Sequence, residues 1–272
     1  MWIIARYLPV APFSLKPATA TSSGGKTLLV MTPYAIKMAL LDGAIRTGGV
    51  TDGAALFPLL RDLRIAMAPP DDIVVFKTFG KIWRPVETKE SKHQKANEAL
   101  EDFEARMLTM QQKQQEQVIR GQHPYYSSIA FREYVRYQEP FELAFAAPDD
   151  RTLPDELSEL LLGINYFGKR GGFIQIMEQP RQVAQPDTRF IELTAGPFSL
   201  SRFHPESTLQ MLDDCGSSLT FDRANVYNMA ERVTLGKERI LRHIVLPYRV
   251  VRWSRGYSWY QRIVEPSEEE EE

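Results

Sequence analysis

An α+β fold with an antiparallel sheet is predicted by three observations. Short β-branched and aromatic runs alternate with segments of helical periodicity. Turn-forming Pro, Gly and Asp residues punctuate the boundaries between them. With 43% hydrophobic residues among 272, the chain can bury a full core as one large domain or two small ones joined tightly.

The elements follow in order. Trp2-Ile3-Ile4-Ala5-Arg6-Tyr7-Leu8-Pro9-Val10 is an opening strand, and Pro9 places its far end at an edge or bulge. A Ser/Thr/Gly/Pro loop follows over residues 14–27. Its Gly24-Gly25-Lys26-Thr27 ends like a phosphate-binding P-loop, but the first glycine of that motif falls at Ala20, so no nucleotide site is read there. Lys26 remains available to a phosphate as an isolated cation. Thr32 as N-cap and Pro33 at the first helical position start a helix whose apolar residues Ile36, Ala39, Leu40 and Ala44 keep helical spacing until Gly48-Gly49 stops it.

After the Pro69-Pro70-Asp71-Asp72 turn, residues 73–79 read as a strand. Residues 89–117 lack Gly and Pro, and Ala96, Leu100, Phe103, Met107 and Met110 form the narrow apolar stripe of one long helix. That helix either lies on its own core or projects to dock on a neighbouring subunit. Residues 131–137 and 141–146 read as an antiparallel strand pair joined at Gln138-Glu139-Pro140, and residues 154–162 as a second amphipathic helix. Residues 173–177 and 189–194 are further strands.

Two stretches carry binding chemistry. Gly168-Lys169-Arg170-Gly171-Gly172 joins two cations to glycines that let a backbone approach closely, as contact with a phosphodiester requires; a solvated hairpin or helix C-cap accounts for the same residues. Residues 239–264 contain Arg239, Arg242, Arg249, Arg252, Arg255 and Arg262 with no Asp or Glu among them. Tyr248, Trp253, Tyr257, Trp259 and Tyr260 interleave with these arginines. Cations alternating with stacking rings suit a single-stranded nucleic acid, whereas the bland reading is a strand pair with one solvated face. The RNA-binding candidates are therefore Lys26, Gly168, Lys169, Arg170, Gly171, Gly172, Arg249, Arg252, Trp253, Arg255 and Tyr257.

Charge and composition exclude other classes. Glu268 to Glu272 dominate the formal charge of −2; removing those five negative charges leaves +3, a mildly basic body, and no function is read from the run itself. The single cysteine, Cys215, excludes an internal disulfide and a cysteine-cluster metal site, and no His/Asp/Glu cluster has metal spacing. No metal or cofactor is expected. No run of 18 uncharged apolar residues occurs, and the N-terminal apolar patch is too short for a signal sequence, so a cytoplasmic protein without membrane contact is expected.

The order of elements suggests two ferredoxin-like β-α-β-β-α-β patterns, or one with a degenerate companion. Arg6-Tyr7-Leu8-Pro9-Val10-Ala11, the helix after Thr32-Pro33, Arg132-Glu133-Tyr134-Val135 followed by Phe141-Glu142-Leu143-Ala144, and Tyr166-Phe167-Gly168-Lys169-Arg170-Gly171-Gly172-Phe173 together resemble the Cas-five family of CRISPR-associated proteins, in the RAMP superfamily. The resemblance spans roughly residues 1 to 255. It implies a ferredoxin-like RAMP (RRM-like) domain over residues 1–88 and 127–200 and a helical, thumb-like insertion over 89–126. A smaller basic, aromatic, β-rich C-terminal part covers 201–264, and an acidic disordered tail 265–272. It also implies a non-catalytic subunit of a type I (Cascade) effector complex. That subunit binds the 5′ handle of the crRNA, contacts the backbone RAMP subunits and the large subunit, and meets target DNA only indirectly. Two alternatives stand beside it. One is a metal-independent endoribonuclease using His123 with Tyr125, Tyr126 and Lys92; the other is a protein-binding module without nucleic acid.

Overall fold

The computed structural model describes residues 1–20, 25–85, 98–121, 125–148, 153–168, 171–194, 204–225 and 233–264. Lys169, Arg170, Lys92, His123, the expected first turns of the 89–117 helix and the acidic tail lie outside the described residues. The architecture is α+β with antiparallel sheets. Two compact units are present, residues 1–78 with 132–272 and residues 79–131.

The first unit is built on one sheet that contains strands β1 (Trp2–Pro9), β2 (Arg64–Ala68), β5 (Phe141–Ala146) and β6 (Ile174–Ile176) in the order β6-β1-β5-β2, all neighbours antiparallel. Helix α1 (Pro33–Asp62) connects β1 to β2, and α3 (Glu156–Gly163) connects β5 to β6. Numbering these four strands along the chain gives the spatial order 4-1-3-2 of a single ferredoxin-like β-α-β-β-α-β unit. β3 (Asp72–Pro85), α2 (Leu100–Ile119) and β4 (Tyr125–Tyr137) are inserted between its second and third strands. The edges are extended by β7 (Arg181–Val183), which continues β6 along β1, and by β8 (Ile191–Glu192) on β2.

Period-two alternation decides what each face buries. Ile3, Ala5, Tyr7, Ile65, Met67, Leu143 and Phe145 join Ile36, Leu40, Leu157 and Leu161 of the helices in the main core. On the other face Trp2, Ile4, Ala66, Ala68, Ala144 and Ala146 form a thinner layer with Phe190. Every residue of β5 is buried, which explains why it is inserted between β1 and β2. β4 joins β3 in a separate sheet instead, so the expected pairing of residues 131–137 with 141–146 does not form. The adjacent turn misled the reading, because β4 keeps one solvated face and β5 has none.

Helix α1 starts as expected: Thr32 Oγ1 accepts the Ala35 N–H at 3.2 Å, and Pro33 follows. It does not end at Gly48-Gly49. Gly49 takes φ +84°, which only glycine adopts without strain, and the chain kinks and resumes its helix to Asp62. Phe57 and Leu60, both buried, fix that second half on the core.

The C-terminal segments add two hairpins to the first unit. β9 (Thr208–Cys215) and β10 (Arg239–Leu246) pair over eight residues and pack on α1. There Lys37, 2% exposed, donates at 2.7 Å to both Asp214 Oδ1 and the Arg61 carbonyl, while Arg242 Nε reaches Asp214 Oδ2 at 2.7 Å. Cys215 is buried beside them, and burial raises its thiol pKa to about 12. β11 (Tyr248–Trp253) and β12 (Tyr257–Arg262) extend the inserted sheet, giving the order β11-β12-β3-β4. In the second unit α2 has no buried residue, and Phe79, Trp83, Leu108, Ile119 and Ile129 are exposed.

Candidate nucleic-acid interface

The four-stranded sheet turns Ile73, Val75 and Val135 into the core, so alternate positions of the same strands face outward. Register shows which side chains share that outer face. Tyr257 lies opposite Phe76, and Trp259 opposite Val74, on the β12–β3 pair. Arg249 lies opposite Gln261, and Arg252 opposite Trp259, on the β11–β12 pair. On β4, Tyr134 stacks on Phe76 with ring centroids 5.7 Å apart and planes 20° apart. Arg132 and Arg136 flank Tyr134 two residues to either side, on the face away from buried Glu133 and Val135. The outer face thus presents half-buried Phe76, Tyr134, Tyr257 and Trp259 between arginines on both edge strands.

Local bonds hold this surface in shape. Trp259 Nε1 donates to Asp72 Oδ1 at 2.7 Å, which fixes the indole. Ser254 N bonds the Tyr257 carbonyl at 2.8 Å and closes the β11–β12 turn. Four of the six C-terminal arginines find carboxylates in space: Arg239 on Asp213, Arg242 on Asp214, Arg249 on Glu206 and Arg262 on Asp71. Arg239 and Arg242 are structural cations of the β9–β10 hairpin. Among the described residues Arg132, Arg136, Arg252 and Arg255 have no ion-pair partner. A polyanion can approach these four without first displacing a carboxylate.

The expected residues are distributed over this sheet and a second place. Arg249, Arg252 and Tyr257 share the outer face, and Arg255 lies in the turn at its end. Trp253 is 76% exposed, but a register shift between Val250 and Arg252 pairs it with Ser258, on the side opposite Arg252. Lys26 is exposed at the β4 edge, where the Gly25 carbonyl accepts the Glu133 N–H at 2.7 Å and Thr27 N donates to Glu133 Oε2 at 3.2 Å. Phe76, Tyr134, Arg132 and Arg136 were not singled out from sequence as binding residues. Their alternation marked strands, but only the pairing of β12 with β3, some 180 residues apart, gives them a common face.

On either side of the Gly-rich stretch Tyr166 bridges Phe173, and Phe167 N bonds the Gly172 carbonyl at 3.2 Å. Gly168 lines a cavity of about 300 Å³ together with Lys16, Tyr34, Met38, Tyr166 and Arg239. Arg239 stacks over the Tyr34 ring at 4.3 Å, and burial raises the phenol's pKa, with Arg239 opposing. Gly168 has φ +69°, and a Cβ there would lie 2.7 Å from Leu15 Cδ2. Gly171 has neither constraint. Gly168→Ala is therefore expected to cost about 1–2 kcal/mol in urea unfolding, and Gly171→Ala under about 0.5 kcal/mol. Equal losses would show that the turn tolerates a side chain at both positions.

Among the described residues no group of three or more His, Cys, Asp or Glu is placed to hold a metal ion. No described helix is long and apolar enough to cross a membrane. Tyr125 and Tyr126, at the head of β4, are half-exposed.

No protein-family model matches the chain, and no curated protein sequence matches it. Among solved structures it is similar to the crystal structure of a CRISPR protein from Archaeoglobus fulgidus. The two are 10% identical with a TM-score of 0.42, over 97% of this chain and 92% of that one.

Proposed function

We propose that this protein is a non-catalytic, single-strand RNA-binding subunit of the Cas-five kind, which grips the 5′ handle of a crRNA at one end of a type I CRISPR effector backbone. The observation that carries the reading is the outer face of the β11-β12-β3-β4 sheet. Four rings stand there at strand spacing, with Arg132, Arg136, Arg249 and Arg252 around them. Every base has a π-face, so such rings hold successive unstacked bases while arginines neutralise phosphates. The Tyr166–Phe173 bridge and Lys26 add contacts to the same strand. The resemblance of the Arg6–Ala11 and Tyr166–Phe173 motifs supplies the choice of partner. Exposed Phe79, Trp83 and Ile119 of the second unit support docking on the neighbouring backbone subunit. Target DNA is met through the guide, in the cytoplasm.

The purified protein is expected to carry absorbance near 260 nm that salt removes, and to bind a labelled repeat RNA without cutting it. A clean protein spectrum with no RNA binding would favour a protein-binding module. Cleavage at one phosphodiester that survives EDTA and is lost in His123→Ala would make it a processing nuclease.

A further inference from the structure

The cavity at Gly168 is separate from the outer face of the sheet. Its volume of about 300 Å³ stands at the small end of sites that hold organic ligands. None of its lining residues belongs to β3, β4, β11 or β12. The walls come instead from the chain after β1, the first turns of α1, Tyr166 with Gly168, and the β9–β10 pair.

Those walls offer two kinds of surface. Leu15, Met38 and Ala39 are apolar, and Tyr34 and Tyr166 add two half-buried rings. Asp213, itself 2% exposed, holds Arg239 at 2.6 Å and so keeps its guanidinium over the Tyr34 ring. Rings and a guanidinium fixed in this way are stacking surfaces for a planar heterocycle. Lys16 supplies the second kind. Among the described residues it has no ion-pair partner, and the hydroxyls of Ser14, Tyr34 and Tyr166 have no hydrogen-bond partner. Asp213 is neutralised by Arg239, and the first turn of α1 carries no acidic residue, so nothing on these walls opposes an anion beside Lys16.

We propose that this cavity binds one free nucleoside monophosphate. The base lies against Met38, Tyr166 and the Arg239–Tyr34 stack, and the phosphate meets Lys16 and the Ser14 hydroxyl. The volume admits a single nucleotide unit, and the walls share no residue with the face that holds the strand.

The test is isothermal titration calorimetry of the full chain with AMP and UMP, and with adenosine and inorganic phosphate as the two halves of such a ligand. At least one nucleotide is expected to bind saturably at one site, and each half about 10-fold more weakly or less. Lys16→Ala is expected to weaken nucleotide binding about 10-fold with the circular dichroism spectrum unchanged. Ala35→Leu, which narrows the cavity with a good helix former, is expected to weaken it as well. Trp259→Ala, on the outer face, is expected to leave it unchanged. Absence of saturable binding by either nucleotide, or full affinity in Lys16→Ala, would overturn the proposal. Inorganic phosphate binding as tightly as the nucleotide would make the cavity a bare anion site, and displacement of the nucleotide by a 5′-phosphorylated oligouridine would assign it to a strand end; either result overturns the free ligand. Oligouridine binding without nucleotide binding would remove this cavity alone, whereas the reverse would remove the nucleic-acid reading of the outer face and leave the cavity standing.

Discussion

Asp214→Ala is expected to lower the stability of the first unit by about 3–5 kcal/mol, read as the midpoint shift of its urea transition. The carboxylate is fully buried and accepts from Lys37 Nζ, Arg242 Nε and the Cys215 N–H, each at 2.7 Å. Truncation leaves the Lys37 ammonium, itself 2% exposed, without a counter-charge in the core. Desolvation that the pair shared then falls on one ion. Lys37→Met is expected to cost less, because Asp214 keeps Arg242. Asp42→Ala, which breaks the solvent-exposed pair with Arg46, is expected to change stability by under about 0.5 kcal/mol. If Asp214→Ala unfolds no earlier than Asp42→Ala, the buried ion pairs do not hold the β9–β10 hairpin on α1.

Trp259→Ala and Tyr257→Ala are each expected to weaken single-stranded RNA binding by about 1–3 kcal/mol while leaving the fold intact. Both rings are half-buried on the outer face, so their removal opens no cavity in the main core. Tyr260, one residue on, provides the internal control. It faces the other way, packs against the core, and has its phenol pKa raised by burial. Tyr260→Ala should therefore cost stability and leave affinity per folded molecule unchanged. Replacing Arg136 and Arg252 together should lower the slope of log affinity on log salt by about 1.4, which is about 0.7 for each phosphate that no longer meets an arginine. Loss of the circular dichroism signal in Trp259→Ala would return that ring to the core.

Local signals were the legible part of the fold. Thr32-Pro33 marked the start of α1 because capping is a matter of neighbouring atoms, and the alternating runs at residues 2–9, 73–79 and 131–137 marked strands. The element order also carried the ferredoxin-like unit. What stayed hidden was set by pairing over long separations. Nothing near residue 141 tells that β5 inserts between β1 and β2, or that β12 pairs with β3. The arginine run of residues 239–264 looked uniform in sequence, yet Asp213, Asp214, Glu206 and Asp71 sort it into structural cations and open ones. Gly49 misled for another reason: a glycine that stops a helix locally need not stop it when Phe57 and Leu60 bury the continuation.

Ultraviolet cross-linking of the protein to a single-stranded repeat RNA, followed by mass-spectrometric identification of the modified residues, tests the central claim most directly. Bases stacked on the outer face should place adducts on Phe76, Tyr134, Tyr257 or Trp259, and these should vanish in high salt with the binding. Adducts confined to other surfaces, with these four rings unmodified while the RNA is bound, would contradict the account.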